Sequence, residues 1–196
     1  MINCTGHTQS GSMIADGYAG GFKQYYSTGT INITDGTYTC TTKGGCGVKS
    51  IGNGTINIDG ATFSTAGNDS HGVYVLGGAT INIESANIDT QHIDSTQGNE
   101  NMAGYVVYIS SMEAGSGKVT IKSGNYKGHV MSDAYGYVNQ VVKIDAGCTG
   151  YISIEGGNFN AEPKVRGYNG SIYAEVIASG YHAVENNDNT WTVVAK

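Results

Sequence analysis

Apolar and polar residues alternate along most of this chain in short bursts separated by glycine-rich breaks. Five segments carry the pattern: GTINITDGTY (29–38), GTINIDGATF (54–63), ATINIESANI (79–88), KVTIKSGNY (118–126) and GYISIEGGNF (150–159). Each holds an apolar–polar–apolar triplet, namely Ile31/Ile33, Ile56/Ile58, Ile81/Ile83, Val119/Ile121 and Ile152/Ile154. Five residues after the second member comes another apolar residue: Tyr38, Phe63, Ile88, Tyr126 and Phe159. A period of two predicts strands with one buried face. Between triplet and later residue lie turn residues such as Asp35-Gly36, Asp59-Gly60 and Ser123-Gly124.

The spacing of these segments carries more than their content. Ile31 to Ile56 is 25 residues and Ile56 to Ile81 another 25; the next steps are 38 and 33. A second strand precedes each later repeat, at Gly47–Lys49, Gly72–Val75, Tyr105–Ile109 and Val138–Ile144, with Ile172–Ile177 as a last member. A period near 25 with two or three short strands per repeat matches one turn of a parallel β-helix. Each turn has too little apolar surface to fold alone, and stacking buries a continuous core. The competing arrangement, a β-sandwich, prefers tight hairpins and no constant period.

We therefore expect one all-β domain over 1–196, a single-stranded parallel β-helix of about five to six rungs. Residues 1–28 are expected to form an irregular first rung or cap, and 29–179 the rungs. Residues 180–195, GYHAVENNDNTWTVVA, read as two strands joined by a turn, a β-hairpin capping the last coil with Trp191 and Val193 facing inward. The longer steps mark polar excursions at 89–104, 127–137 and 160–171, placed on one side if equivalent corners carry them.

Composition agrees with stacked strands. There are 31 Gly, 19 Thr, 17 Asn and 16 Ser, against one Leu (Leu76), one Arg (Arg166) and one Pro (Pro163), which excludes a helix bundle. Charged residues are only 13%, and the formal charge is −6. One Arg and nine scattered Lys cannot neutralise a nucleic-acid backbone, so DNA and RNA are excluded as partners. No apolar run is long enough for a membrane-spanning helix, and no membrane insertion is expected. Met1-Ile2-Asn3-Cys4 shows neither the basic segment nor the apolar core of a signal peptide. Because polar strand repeats of this kind are commonest in surface proteins, we read the chain as part of a larger exported protein, extracellular or on the cell surface.

Candidate chemistry is sparse. Cys40 and Cys46 flank a flexible Thr-Thr-Lys-Gly-Gly segment that allows a small disulfide loop; two thiols packed as small hydrophobes are the other reading. Asp35 and Asp59 fall in nearly equivalent turns, with Glu84 and Glu155 nearby, which is ordinary turn chemistry before it is a cation column. Asp89, Asp94 and Glu100 share one excursion with His92 between them, the best local cluster for acid–base work and also what a solvated loop looks like. Neither a metal nor a cofactor is expected. Several of the 14 Tyr fall on loops or outward positions, including Tyr25 and Tyr26, and aromatic rings stack on sugars. The region around 126–139 is the candidate contact patch: Tyr105, Tyr126, His129, Asp133, Tyr135, Tyr137 and Asn139.

Gly156-Gly157-Asn158-Phe159-Asn160, followed by Gly180-Tyr181-His182-Ala183-Val184 and Asn189-Thr190-Trp191-Thr192-Val193, resembles the end of parallel β-helix domains in secreted or surface proteins of gut bacteria. Those domains are described as pectate-lyase-like or adhesin-like by shape. The resemblance is close over roughly the last 40 residues, loose from about residue 29, and interrupted by 167–177. It implies a right-handed coil and export, and brings no catalytic residues. The expected function is non-catalytic adhesion or glycan contact, with a carbohydrate or a host or cell-surface protein as partner. A purely structural spacer is the first alternative, and a polysaccharide lyase or glycoside hydrolase the second.

Overall fold

The computed structural model describes residues 29–40, 44–65, 70–90, 104–128, 140–166 and 172–196, with the backbone of three earlier strands, Ile2–Cys4, Thr8–Ser10 and Gly20–Gln24. Among these residues there is no helix, and the chain is all-β with parallel sheets.

Three ladders run through the structure, and each repeat but the last contributes a strand to each of them. The first joins Ile2–Cys4, Thr30–Thr34, the opening halves of Thr55–Thr65 and Thr80–Thr90, then Lys118–Ile121 and Tyr151–Ile154. The second joins Thr8–Ser10, Thr37–Cys40, the closing halves of the same two long strands, Gly124–Lys127 and Gly157–Phe159. Because the two long strands pass through both, these ladders form one sheet, which Tyr181–Glu185 and Trp191–Ala195 extend to 12 strands. The third ladder is a separate 5-stranded sheet of Gly20–Gln24, Cys46–Ser50, His71–Val75, Val107–Ile109 and Val142–Ile144.

The registers are those the repeat predicts. Ile31 pairs with Ile56, Ile56 with Ile81, Ile81 with Val119 and Val119 with Ile152, all parallel. Ile33, Ile58, Ile83, Ile121 and Ile154 form a second buried column, and Tyr38, Phe63, Ile88, Tyr126 and Phe159 a third. β-Branched and ring side chains suit this placement, because each stacks on its equivalent one strand away, about 4.8 Å along the stack. The rings follow suit: Tyr38 on Phe63 at 5.4 Å and Tyr126 on Phe159 at 5.0 Å, both near parallel. Where the first ladder turns into the second, Gly124 has φ 128, and a Cβ there would lie 2.0 Å from the Ala86 carbonyl oxygen. Only glycine fits that turn.

The outward triplet residue is often Asn, and it forms amide ladders. Asn57 donates to Asn32 and Asn82 to Asn57, each at 2.8 Å. On the second ladder Asn125 donates to Asn87 at 2.8 Å and Asn158 to Asn125 at 3.1 Å, with Thr192 donating to Asn158 at 2.9 Å.

Both ends bear on the expectations. Trp191–Ala195 pairs antiparallel with Gly157–Phe159 and with Tyr181–Glu185, so the C-terminal hairpin is present, with Val193 buried and Trp191 packed on the core. In the N-terminal stretch, expected as an irregular first rung or cap, Ile2–Cys4, Thr8–Ser10 and Gly20–Gln24 pair in register with the repeat that follows. Ile-Asn-Cys is a degraded copy of Ile-Asn-Ile, and the longer connections around it hide the spacing. Ile172–Ile177 departs from expectation. Ile172–Ala174 pairs antiparallel with Val165–Arg166, and Ile177 bridges to Ile154, so this stretch leaves the third ladder and ends beside the first.

Candidate functional site

The third ladder carries the densest chemistry among the described residues, and a local break in alternation assembles it. Alternation would send Gly72 and Val73 to opposite faces of the sheet. Instead both donate their backbone N–H to the next repeat, Gly72 to the Tyr105 carbonyl at 2.9 Å and Val73 to the Val106 carbonyl at 2.8 Å. Both face the core: Val73 is buried in it, and a Cβ on Gly72 would meet Ile88 Cγ2 at 2.3 Å. Two successive inward residues interrupt the alternation of the strand. The outward neighbours, His71 and Tyr74, then converge, with ring centroids 5.1 Å apart.

The next repeat completes the cluster. Tyr105 stacks on His71 at 5.6 Å, Tyr108 meets His71 edge-on at 4.9 Å, and Tyr74 and Tyr108 stack at 5.0 Å with planes 22° apart. The outward column runs in register from Lys49 to Tyr74, Tyr108 and Lys143. Lys49 Nζ lies over the Tyr74 ring at 5.4 Å, and Lys143 Nζ over Tyr108 at 4.9 Å and Tyr105 at 5.3 Å. The two stacked phenols are therefore sandwiched between ammonium groups, a favourable cation–π arrangement. Their faces are occupied within the chain, and edges and hydroxyls are left to point outward.

Polar partners fix the rim. Tyr108 donates its hydroxyl to Asp145 Oδ2 at 2.9 Å. Asp145 also accepts from the Ser111 backbone N–H at 3.0 Å and lies 3.7 Å from Lys143 Nζ. Tyr74 donates its hydroxyl to the Met112 thioether at 3.4 Å, and Met112 is 76% exposed.

His71 is 5% exposed, and its pKa is lowered from 6.5 to about 3. Burial is the largest cause; the Lys143 and Lys49 charges add to it, and Asp145 opposes them. The imidazole is thus neutral at ordinary pH. The Tyr105 backbone N–H donates to Nδ1 at 3.3 Å, which assigns the ring proton to Nε2. Burial also pushes the Tyr108 hydroxyl above its usual range, so it stays protonated as a donor.

The same register sets where the excursions leave. The second ladder ends at Cys40, Thr65 and Thr90, which pair with one another, and at Lys127 beside Asp89. The third ladder starts at the paired Cys46 and His71, and continues at Val107 and Val142. The segments joining these ends, 41–45, 66–70, 91–106 and 128–141, all depart from one corner, beside the His71–Tyr105 edge of the cluster.

Several expected site residues fall elsewhere. Tyr126 faces the core, 1% exposed and stacked on Phe159; its position five residues after Ile121 puts it in the buried column. Tyr105 belongs to the cluster but is only 7% exposed, held beneath by His71 and Lys143. Cys40 and Cys46 are thiols, both buried, and not a disulfide; each lies in a packed strand end, and the Cys46 thiol points to the Gly44 carbonyl. Asp89 lies on the outer face of the second ladder, paired in register with Lys127 and 3.9 Å from its Nζ. His92, Asp94 and Glu100, like His129, Asp133, Tyr135, Tyr137 and Asn139, lie outside the described residues. The Asp35/Asp59 column is mixed: Ser85 donates to Asp59 at 2.8 Å, and Glu84 is paired with Lys122 at 2.8 Å.

Sequence reasoning missed His71, Tyr74, Tyr108, Lys49, Lys143 and Asp145 as a group. One signal was available. Aligned, Gly-Val-Lys-Ser (47–50), Gly-Val-Tyr-Val (72–75), Val-Val-Tyr-Ile (106–109) and Val-Val-Lys-Ile (141–144) show the Lys-Tyr-Tyr-Lys column directly. Among the described residues, no three His, Cys, Asp or Glu side chains converge as a metal site requires. The face offers phenol edges, hydroxyls, one partly exposed ammonium and a thioether, which suits contact better than acid–base turnover. No family model, no curated protein and no solved structure matches the chain.

Proposed function

We propose that the chain is a right-handed parallel β-helix, one coil per repeat, closed at its C-terminal end by the Tyr181–Ala195 hairpin. In this reading it is a non-catalytic contact module of a secreted or cell-surface protein. Its partner is a glycan, with a host or cell-surface protein as the other occupant. The observation that carries the reading is the common corner at which the strand ends flanking successive excursions line up, beside an outward face bearing Tyr74, Tyr108 and Lys143. Excursions that leave a rigid stacked scaffold beside a cluster of tyrosine rings are where such scaffolds place contact surfaces. Hydroxyl and ammonium donors at that rim fit the hydroxyl-rich surface of a sugar.

The test is a glycan array probed with the purified chain, followed by titration of any hit. Binding is expected, and the double variant Tyr74→Ala, Lys143→Ala should weaken it by about tenfold or more, the loss of two contacts of roughly 1 kcal/mol each. Silence on the array, or a hit indifferent to the double variant and to shortening of 128–141, would sink the reading. A spacer is the second reading, favoured by the self-paired amide ladders Asn32–Asn57–Asn82 and Asn87–Asn125–Asn158, which spend their hydrogen bonds within the chain. It predicts no ligand at all.

A further inference from the structure

We infer that Tyr74 and Tyr108 form an oxidative modification site, where a one-electron oxidant of the haem–peroxide class couples the two rings into a dityrosine spanning adjacent repeats. The pair is held in register by the parallel ladder, Tyr74 opposite Tyr108. The rings lie 5.0 Å apart with planes only 22° from parallel, and both are half-buried. They are near enough to solvent to lose an electron to a surface oxidant, and screened from the rings of other molecules.

The surroundings supply the proton chemistry. With Lys49 and Lys143 at the two ends of the stack, a cationic radical is disfavoured, and electron loss has to be accompanied by deprotonation. Tyr108 has the acceptor in place: its hydroxyl already donates to the Asp145 carboxylate at 2.9 Å. Tyr74 donates to the Met112 thioether, a poor base, and gives its proton to water past that exposed side chain. Each phenol thus yields one electron and one proton and becomes a neutral radical. A carbon–carbon bond then forms between ring carbons ortho to the two hydroxyls, and both rings regain aromaticity as the hydrogens on those carbons are replaced on oxygen. Net, two hydrogen atoms leave the protein and reduce one peroxide to two waters.

Other ring pairs among the described residues do not meet these conditions. Tyr38–Phe63 and Tyr126–Phe159 each contain a single phenol and lie in the core. Tyr105 and Tyr108 are 5.6 Å apart but tilted by 61°, with Tyr105 buried. The exposed Tyr151 serves as a reporter that oxidant has reached the protein.

The experiment treats the dilute, folded chain with hydrogen peroxide and a haem peroxidase, then maps peptides after cleavage at lysine and glutamate. Glu84 and Glu100 lie between the two tyrosines, so cleavage separates them unless they are joined. The expected product is a monomer lighter by two hydrogens, with dityrosine fluorescence and a peptide linking Tyr74 to Tyr108. Tyr74→Phe and Tyr108→Phe should each abolish the link. Asp145→Asn should slow it by at least about tenfold, less than a fully buried proton acceptor contributes because water competes at the rim. Circular dichroism checks that each variant is folded. Oxidation of Tyr151 with no 74–108 link in the folded wild-type chain would overturn the proposal, as would a link formed equally fast in urea. Equal rates in the wild type and Asp145→Asn would overturn the role of Asp145.

Discussion

Acidification should unfold this protein largely through one residue. His71 has a folded-state pKa of about 3 against 6.5 for the ordinary imidazole. Between those values the unfolded chain holds a proton that the folded chain refuses. Stability present above pH 6.5 is therefore lost as pH falls toward 3. The full difference corresponds to about 5 kcal/mol, and the portion already lost at pH 5 to about 2 kcal/mol. Since ordinary domains have only about 5–15 kcal/mol in all, this is a large share. The assay is urea unfolding at about pH 7.5 and about pH 5, in the wild type and in His71→Asn. Asparagine keeps an acceptor near Nδ1 for the Tyr105 N–H but does not titrate. The variant is less stable at both pH values because the stacked imidazole is gone. Its loss on acidification should nevertheless be smaller than that of the wild type by about 2 kcal/mol. Lys143→Met removes one of the charges that depress the imidazole, so His71 should titrate at higher pH and the wild-type slope should soften. Parallel pH slopes in the wild type and His71→Asn, or an imidazole titrating near 6.5 by NMR, would refute the reasoning.

Four other outcomes follow from the packing. Phe63→Ala empties the centre of the aromatic column, where Phe63 is fully buried against Tyr38, and should cost about 3–5 kcal/mol in urea unfolding. Asn57→Ala breaks two amide bonds, one to Asn32 and one from Asn82, and should cost about 1–2 kcal/mol; no change in the urea midpoint would deny the ladder any part in stability. Gly72→Ala places a Cβ against Ile88 Cγ2 and the Val106 carbonyl, at 2.3 and 2.7 Å, and should lower the melting temperature while disturbing the His71–Tyr74 contact, read from tyrosine fluorescence. Cys40 and Cys46 should resist a thiol-labelling reagent in the folded chain and react on unfolding; a 40–46 bridge in a non-reducing peptide map would contradict the assignment.

The strand columns were legible because the repeat is nearly metric. Ile31, Ile56 and Ile81 recur at 25 residues, and the structure pairs them as that arithmetic requires. The aromatic position five residues later, and the antiparallel end at Trp191, were equally plain. Tyr126 shows the same rule misapplied: its place in the repeat buries it, whereas its neighbourhood in sequence suggested a contact patch. The N-terminal repeat was hidden because Ile2–Cys4 lies 29 residues from its partner Ile31–Ile33 and ends in Cys instead of Ile.

By itself the sequence determined the all-β class, the parallel columns and the hairpin end, since these rest on local alternation, turn residues and a fixed spacing. It did not determine the outward cluster. Lys49, Tyr74, Tyr108 and Lys143 are separated by 25, 34 and 35 residues, because excursions of different length intervene, and no constant period links them. Alternation also fails where it matters most. Gly72 and Val73 both turn inward, and only that break brings His71 and Tyr74 onto the same outward face. Burial and two lysine charges, gathered from three different repeats, then keep the imidazole neutral, a property no single repeat possesses.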